Sequence, residues 1–263
     1  MFRKQNDPDF ERGKEKMAKH IAIWGSPHSG KTTLATKLAV ELAAKEGKMV
    51  MVLYTDDRSP VLPLVFPNQK WSRQYSVGAV LQKVIITTDD VLMQANVYRK
   101  YQQLAFLGYV AGENKSTYPD LFPEKVKELY GVMDRIVDYI IVDCVSDLTG
   151  NPLSDIGVML ADTVLYLLTP DLKSLNFYYS QSTLYPQEIY HTDRHIRLIS
   201  NITRDIHEGQ REAVDICRDV RAILPYAQGI RQQYAEGSLL CPFRDSGYRK
   251  TLESIVGQIR QEG

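Results

Sequence analysis

Gly25-Ser26-Pro27-His28-Ser29-Gly30-Lys31-Thr32 places two glycines, a lysine and a hydroxyl at the spacing G-x-x-x-x-G-K-[ST]. Glycines at these positions let backbone N–H groups turn inward, and a helix starting at the end of the loop offers its positive N-terminus to an anion. The chemistry is phosphate binding: Lys31 reaches β- and γ-phosphates, and the Thr32 hydroxyl ligates Mg²⁺. Ser26, Pro27, His28, Ser29 and Thr33 complete the expected contact set, for ATP or, less well, GTP. A solvent-facing loop residue is the plain alternative for His28.

A phosphate site that uses Mg²⁺ needs a carboxylate at the end of a neighbouring strand. Asp138-Tyr139-Ile140-Ile141-Val142-Asp143 supplies one, four apolar residues followed by Asp143. Asp143 is therefore the candidate metal ligand, directly or through water; capping of the next turn is the alternative. Asp56 and Asp57 close another apolar run, Lys48 to Tyr54. Either is placed to orient an attacking water or reach the metal, and nothing local separates the two.

The elements that must hold these groups are legible around them. His20 to Trp24 is a short apolar run ending in the glycine loop, which suits a strand buried on both faces. Thr32 to Ala44 carries Leu34, Leu38 and Leu42 beside Ala35, Ala39 and Ala43, the narrow face of a helix packed closely on a sheet, and Gly47 ends it. Further strands are predicted at Leu104 to Val110, Tyr139 to Val142, Thr163 to Leu168, Ile196 to Ser200 and Arg221 to Leu224. Helices are predicted at Pro123 to Val137, Leu172 to Leu184, Glu208 to Val220 and Gly247 to Arg260. Strands alternating with helices imply a single doubly wound α/β domain, residues 19–263, with a mostly parallel sheet of about seven strands and helices on both faces. Arg58 to Asp90, with three prolines between Pro60 and Pro67, reads as a long ordered loop. Residues 1–18 read as a disordered or extended tail, and Met17 is a candidate natural start.

Lys plus Arg equals Asp plus Glu at 32 each, which argues against a global basic field for nucleic acid. Cys144, Cys217 and Cys241 are widely spaced, as for unpaired thiols in a reducing cytosol. No apolar run reaches the ~18 residues needed to span a bilayer, and the polar N-terminus is no secretory signal.

The sequence resembles the ParA/MinD family of P-loop ATPases over nearly the whole ordered chain. Met49 to Asp57 takes the place of the family's second strand and switch I, so that the resemblance assigns the hydrolysis-supporting aspartate to Asp57 rather than Asp56. Asp143 matches the switch II aspartate. Asp162 to Pro170, with Ser174 and Leu175, is similar to the family's strand and its "TP…SL" turn. Leu198 to Ile202 resembles the strand whose asparagine contacts adenine, which implies that Asn201 recognises the base. Leu224-Pro225-Tyr226, with Ile230, Ala235, Gly237, Leu239 and Leu240, resembles the segment that closes the nucleotide pocket. One position departs: Ser26 stands where most members carry an additional lysine that crosses the dimer interface. A hydroxyl cannot replace a cation there. The CpaE/TadZ branch, which positions pilus machinery, also deviates in this loop.

The resemblance implies a Mg²⁺- and ATP-dependent switch that dimerises with ATP and positions a plasmid or chromosome, a division regulator, or a pilus or secretion complex. It implies a cytoplasmic protein recruited by a cargo or activator protein to a pole, the nucleoid or the inner membrane face. Non-specific DNA binding would draw on Arg231, Arg244, Arg249 and Lys250. Direct membrane anchoring is not expected, because Leu252, Ile255, Val256 and Ile259 form one face suited to packing on the sheet. A weakly hydrolysing nucleotide-bound scaffold and a small-molecule synthetase of the same fold are the alternatives. A bridging metallocluster would need paired cysteines, and only Cys144 lies near the site.

Overall fold

Gly25 and Gly30 bracket the turn on which the architecture is built. A computed structural model of the chain describes residues 17–70, 75–119, 121–190, 192, 195–204 and 207–261. Most of the predicted tail, residues 1–16, lies outside the described residues. β1 (Lys19–Gly25) runs into the loop, and α1 (Lys31–Glu46) leaves it, capped by Gly30 and Gly47, both left-handed. A left-handed residue at each end costs glycine no Cβ clash. β2 (Val50–Tyr54), β4 (Leu104–Gly108), β5 (Tyr139–Asp143), β6 (Thr163–Leu168), β7 (His195–Ser200) and β8 (Val220–Leu224) follow the predicted runs closely.

These strands form one sheet in the order β3-β4-β2-β5-β1-β6-β7-β8, parallel throughout except at β3 (Asn96–Val97). That two-residue strand pairs antiparallel with β4 at the edge and is the eighth, beyond the seven expected; so short a run has no periodicity to read. Alternation along β1 explains the layers. Ile21 and Ile23 enter a core with α1, with α2 (Leu62–Val65) and with α11 (Ser246–Gln261). Ala22 and Trp24 enter the core on the other face. There they meet α3 (Val77–Leu81), α5 (Pro123–Met133), α6 (Pro152–Met159) and α9 (His207–Cys217). With both faces covered, β2 and β6 are buried at every residue, which is why they read as continuous apolar runs.

The stretch predicted as a long loop holds three short helices: α2, α3 and α4 (Thr88–Gln94). Their caps account for them. The Ser76 side chain accepts from Gly78 N–H, and Thr87 and Asp90 form a reciprocal capping box, each satisfying donors orphaned at a helix start. α6 likewise begins at Asn151, which accepts from Ser154 N–H, with Pro152 behind it. Two other short helices, α8 (Gln187–Tyr190) and α10 (Gln228–Ala235), were not anticipated. α7 (Leu172–Ser182) and α9 stop a turn or less before their expected ends. In α11, Leu252, Ile255, Val256 and Ile259 are buried as expected, joined by Tyr248. No helix among the described residues is long and apolar enough to cross a membrane.

β1 lies between β5 and β6. The chain leaves β1 for β2 on one side and leaves β5 for β6 on the other. Ligands of open α/β sheets bind at such a reversal, outside the carboxyl ends of the strands. Here those ends carry Gly25 and Asp143.

Candidate nucleotide site

Gly25, at φ 136°, is the residue the loop cannot change. A Cβ there would overlap the Leu167 carbonyl oxygen at the end of β6. Ser26 N–H donates to that same carbonyl at 2.9 Å, pinning the loop to β6. Ser29 Oγ donates to Ser26 O at 2.8 Å, and His28 takes a positive φ of 59° with its side chain exposed. The loop is thus a set of backbone bends, closed by Gly30 at the start of α1.

Three side chains converge above it. Lys31 Nζ donates to Ser26 O at 2.9 Å and to Ser146 Oγ at 2.7 Å. Thr32 Oγ1 donates to Asp143 Oδ2 at 2.6 Å. Burial lowers the Lys31 pKa, offset in part by the charge of Asp143. Burial pushes the Asp143 carboxyl up to about 6, against the pull of the Thr32 hydrogen bond and of Lys31. Taken out of water, the cation is supported by the charge of Asp143, and the anion first by the Thr32 hydroxyl and then by the charge of Lys31. A hydroxyl beside a carboxylate is a pair of hard oxygen donors, the kind that Mg²⁺ takes when phosphates and waters complete its shell.

The loop after β5 is tied in from two sides. Trp24 Nε1 donates to Ser146 O at 2.9 Å, while Lys31 takes the Ser146 hydroxyl. Thr55 Oγ1 donates to Asp143 O at 2.8 Å and shares a 2.6 Å contact with Ser154 Oγ, and Asn151 Nδ2 donates to Thr55 O at 2.9 Å. The ends of β2 and β5 and the start of α6 therefore form one buried polar network. Ser146 carries no local signal in the sequence and is found only from the fold.

The two acidic candidates part company. Asp56 lines the cavity above the loop, and its Oδ1 accepts from the N–H groups of Arg58 and Ser59 at 2.9 and 2.8 Å. Asp57 turns away and is largely buried; burial raises its pKa, against a hydrogen bond with Asn151 and the charge of Lys115. Asp57 is not among the residues lining the cavity, and neither are Gly25 and Ser26. Ser26 is fully buried, its hydroxyl accepting from Ser174 Oγ at 2.7 Å at the start of α7.

The cavity itself measures about 830 Å³. Pro27 to Thr33 and Asp143 line one end, Asn201, Pro225 and Tyr226 the other, and Ile230, Arg231, Tyr234 and Ala235 of α10 form a side wall together with Ser59 to Val61 and Leu64. Asn201 Nδ2 donates to Gln210 Oε1 at 3.0 Å. Its Oδ1 is buried with no hydrogen-bond partner among the described residues, a costly state for a carbonyl oxygen. Arg231 Nη1 donates to Ile202 O at 3.1 Å, and Arg249 Nη2 to Phe243 O at 2.6 Å, so two of the four arginine and lysine candidates for DNA are engaged locally; Arg244 and Lys250 are exposed.

No family model and no curated protein sequence matches the chain. Solved structures do. A ParA family ATPase from Chlorobium tepidum aligns over 90% of this chain and 99% of its own, at 16% identity and a TM-score of 0.71. The cell division ATPase MinD of Pyrococcus furiosus covers 94% and 100%, at 17% identity and 0.70. The septum site-determining protein MinD of Pyrococcus horikoshii, solved with Mg-ADP, covers 92% and 96%, at 20% identity and 0.66. Over the 90% or more of this chain that aligns, its fold is that of these ATPases.

Proposed function

We propose that the chain is a Mg·ATP-binding ATPase of the ParA/MinD family, acting as a nucleotide-dependent switch that positions or partitions a cellular cargo. One observation carries the reading: Lys31, Thr32 and Asp143 meet in a single cavity that Asn201 also lines, its side-chain carbonyl without a hydrogen-bond partner among the described residues. Lys31 and the loop N–H groups hold the phosphates. Thr32 and Asp143 hold Mg²⁺, which supplies charge neutralisation at the phosphate oxygens. Asn201 Oδ1 accepts from the exocyclic amino group of adenine. Guanine presents a carbonyl at that edge and would leave the acceptor unpaired, which favours ATP over GTP. The Mg-ADP complex of the Pyrococcus horikoshii protein supports the same ligand class.

Switching follows from the network at the strand ends. Asp143 O holds Thr55, and Thr55 O is held by Asn151, so a change at the metal ligand is passed to both loops that follow β2 and β5. Such loops, ordered by nucleotide, are the bistable element of a switch. Asp57, which closes β2, is proposed to support hydrolysis, with a protein cargo or activator and a homodimer as its context. Size-exclusion chromatography with light scattering tests this, with Mg·ATP and then Mg·ADP in the buffer. A dimer with ATP and a monomer with ADP is expected; equal mass in both, in a protein that binds ATP, would overturn the switch.

A second reading, a weakly hydrolysing nucleotide-bound scaffold, is favoured by Ser26. Its hydroxyl is buried against Ser174 rather than turned toward a partner, so it supplies no cation to a facing subunit. Turnover in the parent within a few-fold of both an Asp57→Ala and an Asp56→Ala variant would favour this reading.

A further inference from the structure

Lys37 lies roughly two turns beyond Lys31 on α1 and is fully buried. A side chain of this kind is almost never buried without a charged partner. Among the described residues, no carboxylate lies within ion-pair distance of Lys37. Nζ instead donates to Gln233 Oε1 at 2.5 Å, to Leu239 O at 2.5 Å and to Cys241 O at 3.0 Å, with the Phe243 ring centroid at 5.1 Å. An ammonium has three N–H groups, and all three are taken by neutral oxygens of one segment. That segment, from the end of α10 to the start of α11, continues the helix whose Ile230, Arg231 and Tyr234 wall the cavity.

The far side of the same segment is fitted as closely. Gly237, at φ 67°, packs so near residues 64–67 that a Cβ would lie 2.8 Å from Pro67 Cγ and 2.9 Å from Leu64 O. Leu64 itself lines the cavity too. The side wall of the cavity is therefore clamped between α1 behind it and the α2 loop beside it.

We propose that Lys37 is a positioning residue for nucleotide binding: from the back of the phosphate-binding helix, its ammonium fastens residues 233–241 and so sets the place of the wall against which the base and sugar lie. The proposal rests on the nucleotide reading above. It makes the helix that grips the phosphates also the anchor of the opposite end of the ligand, so the two halves of the site move as one body. Burial brings the Lys37 pKa down to about 8, as expected where only dipoles face a charge.

The test separates the fastening from the nucleotide. Hydrogen exchange of the peptide spanning residues 228–243, read by mass spectrometry without nucleotide, should show protection about tenfold lower in Lys37→Met, with β1 and β5 unchanged. Gln233→Ala, which removes one acceptor and leaves the lysine, should loosen the same peptide less and guards against a Lys37 variant that fails to fold. In Lys37→Met, affinity for Mg·ATP should fall about tenfold while affinity for Mg·tripolyphosphate, which lacks base and sugar, stays within twofold. Unchanged exchange in Lys37→Met overturns the fastening. Equal losses for ATP and tripolyphosphate overturn the positioning role, because they mark a general disturbance of α1. A parent that binds neither ligand overturns the nucleotide reading and the affinity half with it, and exchange still decides the fastening.

Discussion

Lys31 and Lys37 lie on the same helix, both carried out of water, and meet opposite surroundings. Lys31 faces a carboxylate, Asp143, and spreads its donors over a loop carbonyl and a serine hydroxyl. Among the described residues Lys37 faces neutral oxygens alone, and all of its donors are taken. The phosphate end of the cavity is a place where charge is held ready, with anion and cation adjacent. The wall end is a place where one charge is spent on holding backbone. A buried lysine is a binding group in the first setting and an anchor in the second, and the neighbours decide which.

The largest break in this comparison comes from the backbone beneath Lys31. Gly25→Ala forces a Cβ onto the Leu167 carbonyl in a φ region that L residues avoid, a mechanism that belongs to the large end of single-substitution losses, about 3 kcal/mol or more. Thermal unfolding should show a large fall in stability; a variant as stable as the parent would refute the loop geometry. Nothing comparable is expected at Gly47, where a Cβ would meet no atom within 4 Å.

Asp143→Asn sharpens the charged half. The folded-state carboxyl titrates near 6 against an ordinary value of 3.8, so the folded state holds its proton over a range where the unfolded chain has lost it. The stability this contributes is present below about pH 4 and is lost as pH rises through about 6, at most about 3 kcal/mol across the window. Parent stability should therefore fall relative to Asp143→Asn between pH 4 and 6.5, in paired denaturant titrations. Parallel curves would show that the carboxyl is not buried as described. The same variant should lose the Mg²⁺-dependent part of nucleotide affinity.

Asp57→Ala and Asp56→Ala divide the acidic turn. Retained ATP binding with turnover slowed about tenfold or more is expected for Asp57→Ala. Equal turnover in that variant and the parent would move the role to Asp56, which lines the cavity, or to neither.

The smallest effect belongs to the wall end. Lys37→Met removes a buried charge and leaves three acceptors unpaired, opposing changes that should keep global stability at pH 7.5 within about 1 kcal/mol of the parent. The folded-state pKa near 8 lies below the ordinary 10.5. Stability from this group is thus present above about pH 10 and lost as pH falls through 8, so the parent should gain on Lys37→Met between pH 8 and 10. A difference constant over that range would contradict the burial of the ammonium.

The phosphate end was legible because it is nearly contiguous. Gly25 to Thr32 is one run of sequence, and Asp143 is announced by the four apolar residues before it. The paired parallel strands were legible for the same reason, as apolar runs buried on two faces. What lay hidden is what the fold assembles from afar. Ser146 reaches Lys31 across the sheet, and Leu239 and Cys241 reach Lys37 through backbone carbonyls, which carry no side-chain signal at all. Lys37 carries no signal of its own in the sequence, since its burial comes from a segment about two hundred positions away. The helices between Arg58 and Asp90 were hidden differently: Ser76 and Thr87 are good caps, but the helices they start are too short to show a period.

Phosphate binding in this cavity depends above all on the charge of Lys31. Calorimetric titration of Mg·ATP into the parent and into Lys31→Ala tests it most directly. Saturable one-site binding by the parent, with affinity lost at least a hundredfold in a variant that remains folded, is the predicted result. ATP binding of equal strength in both would contradict the assignment of the site.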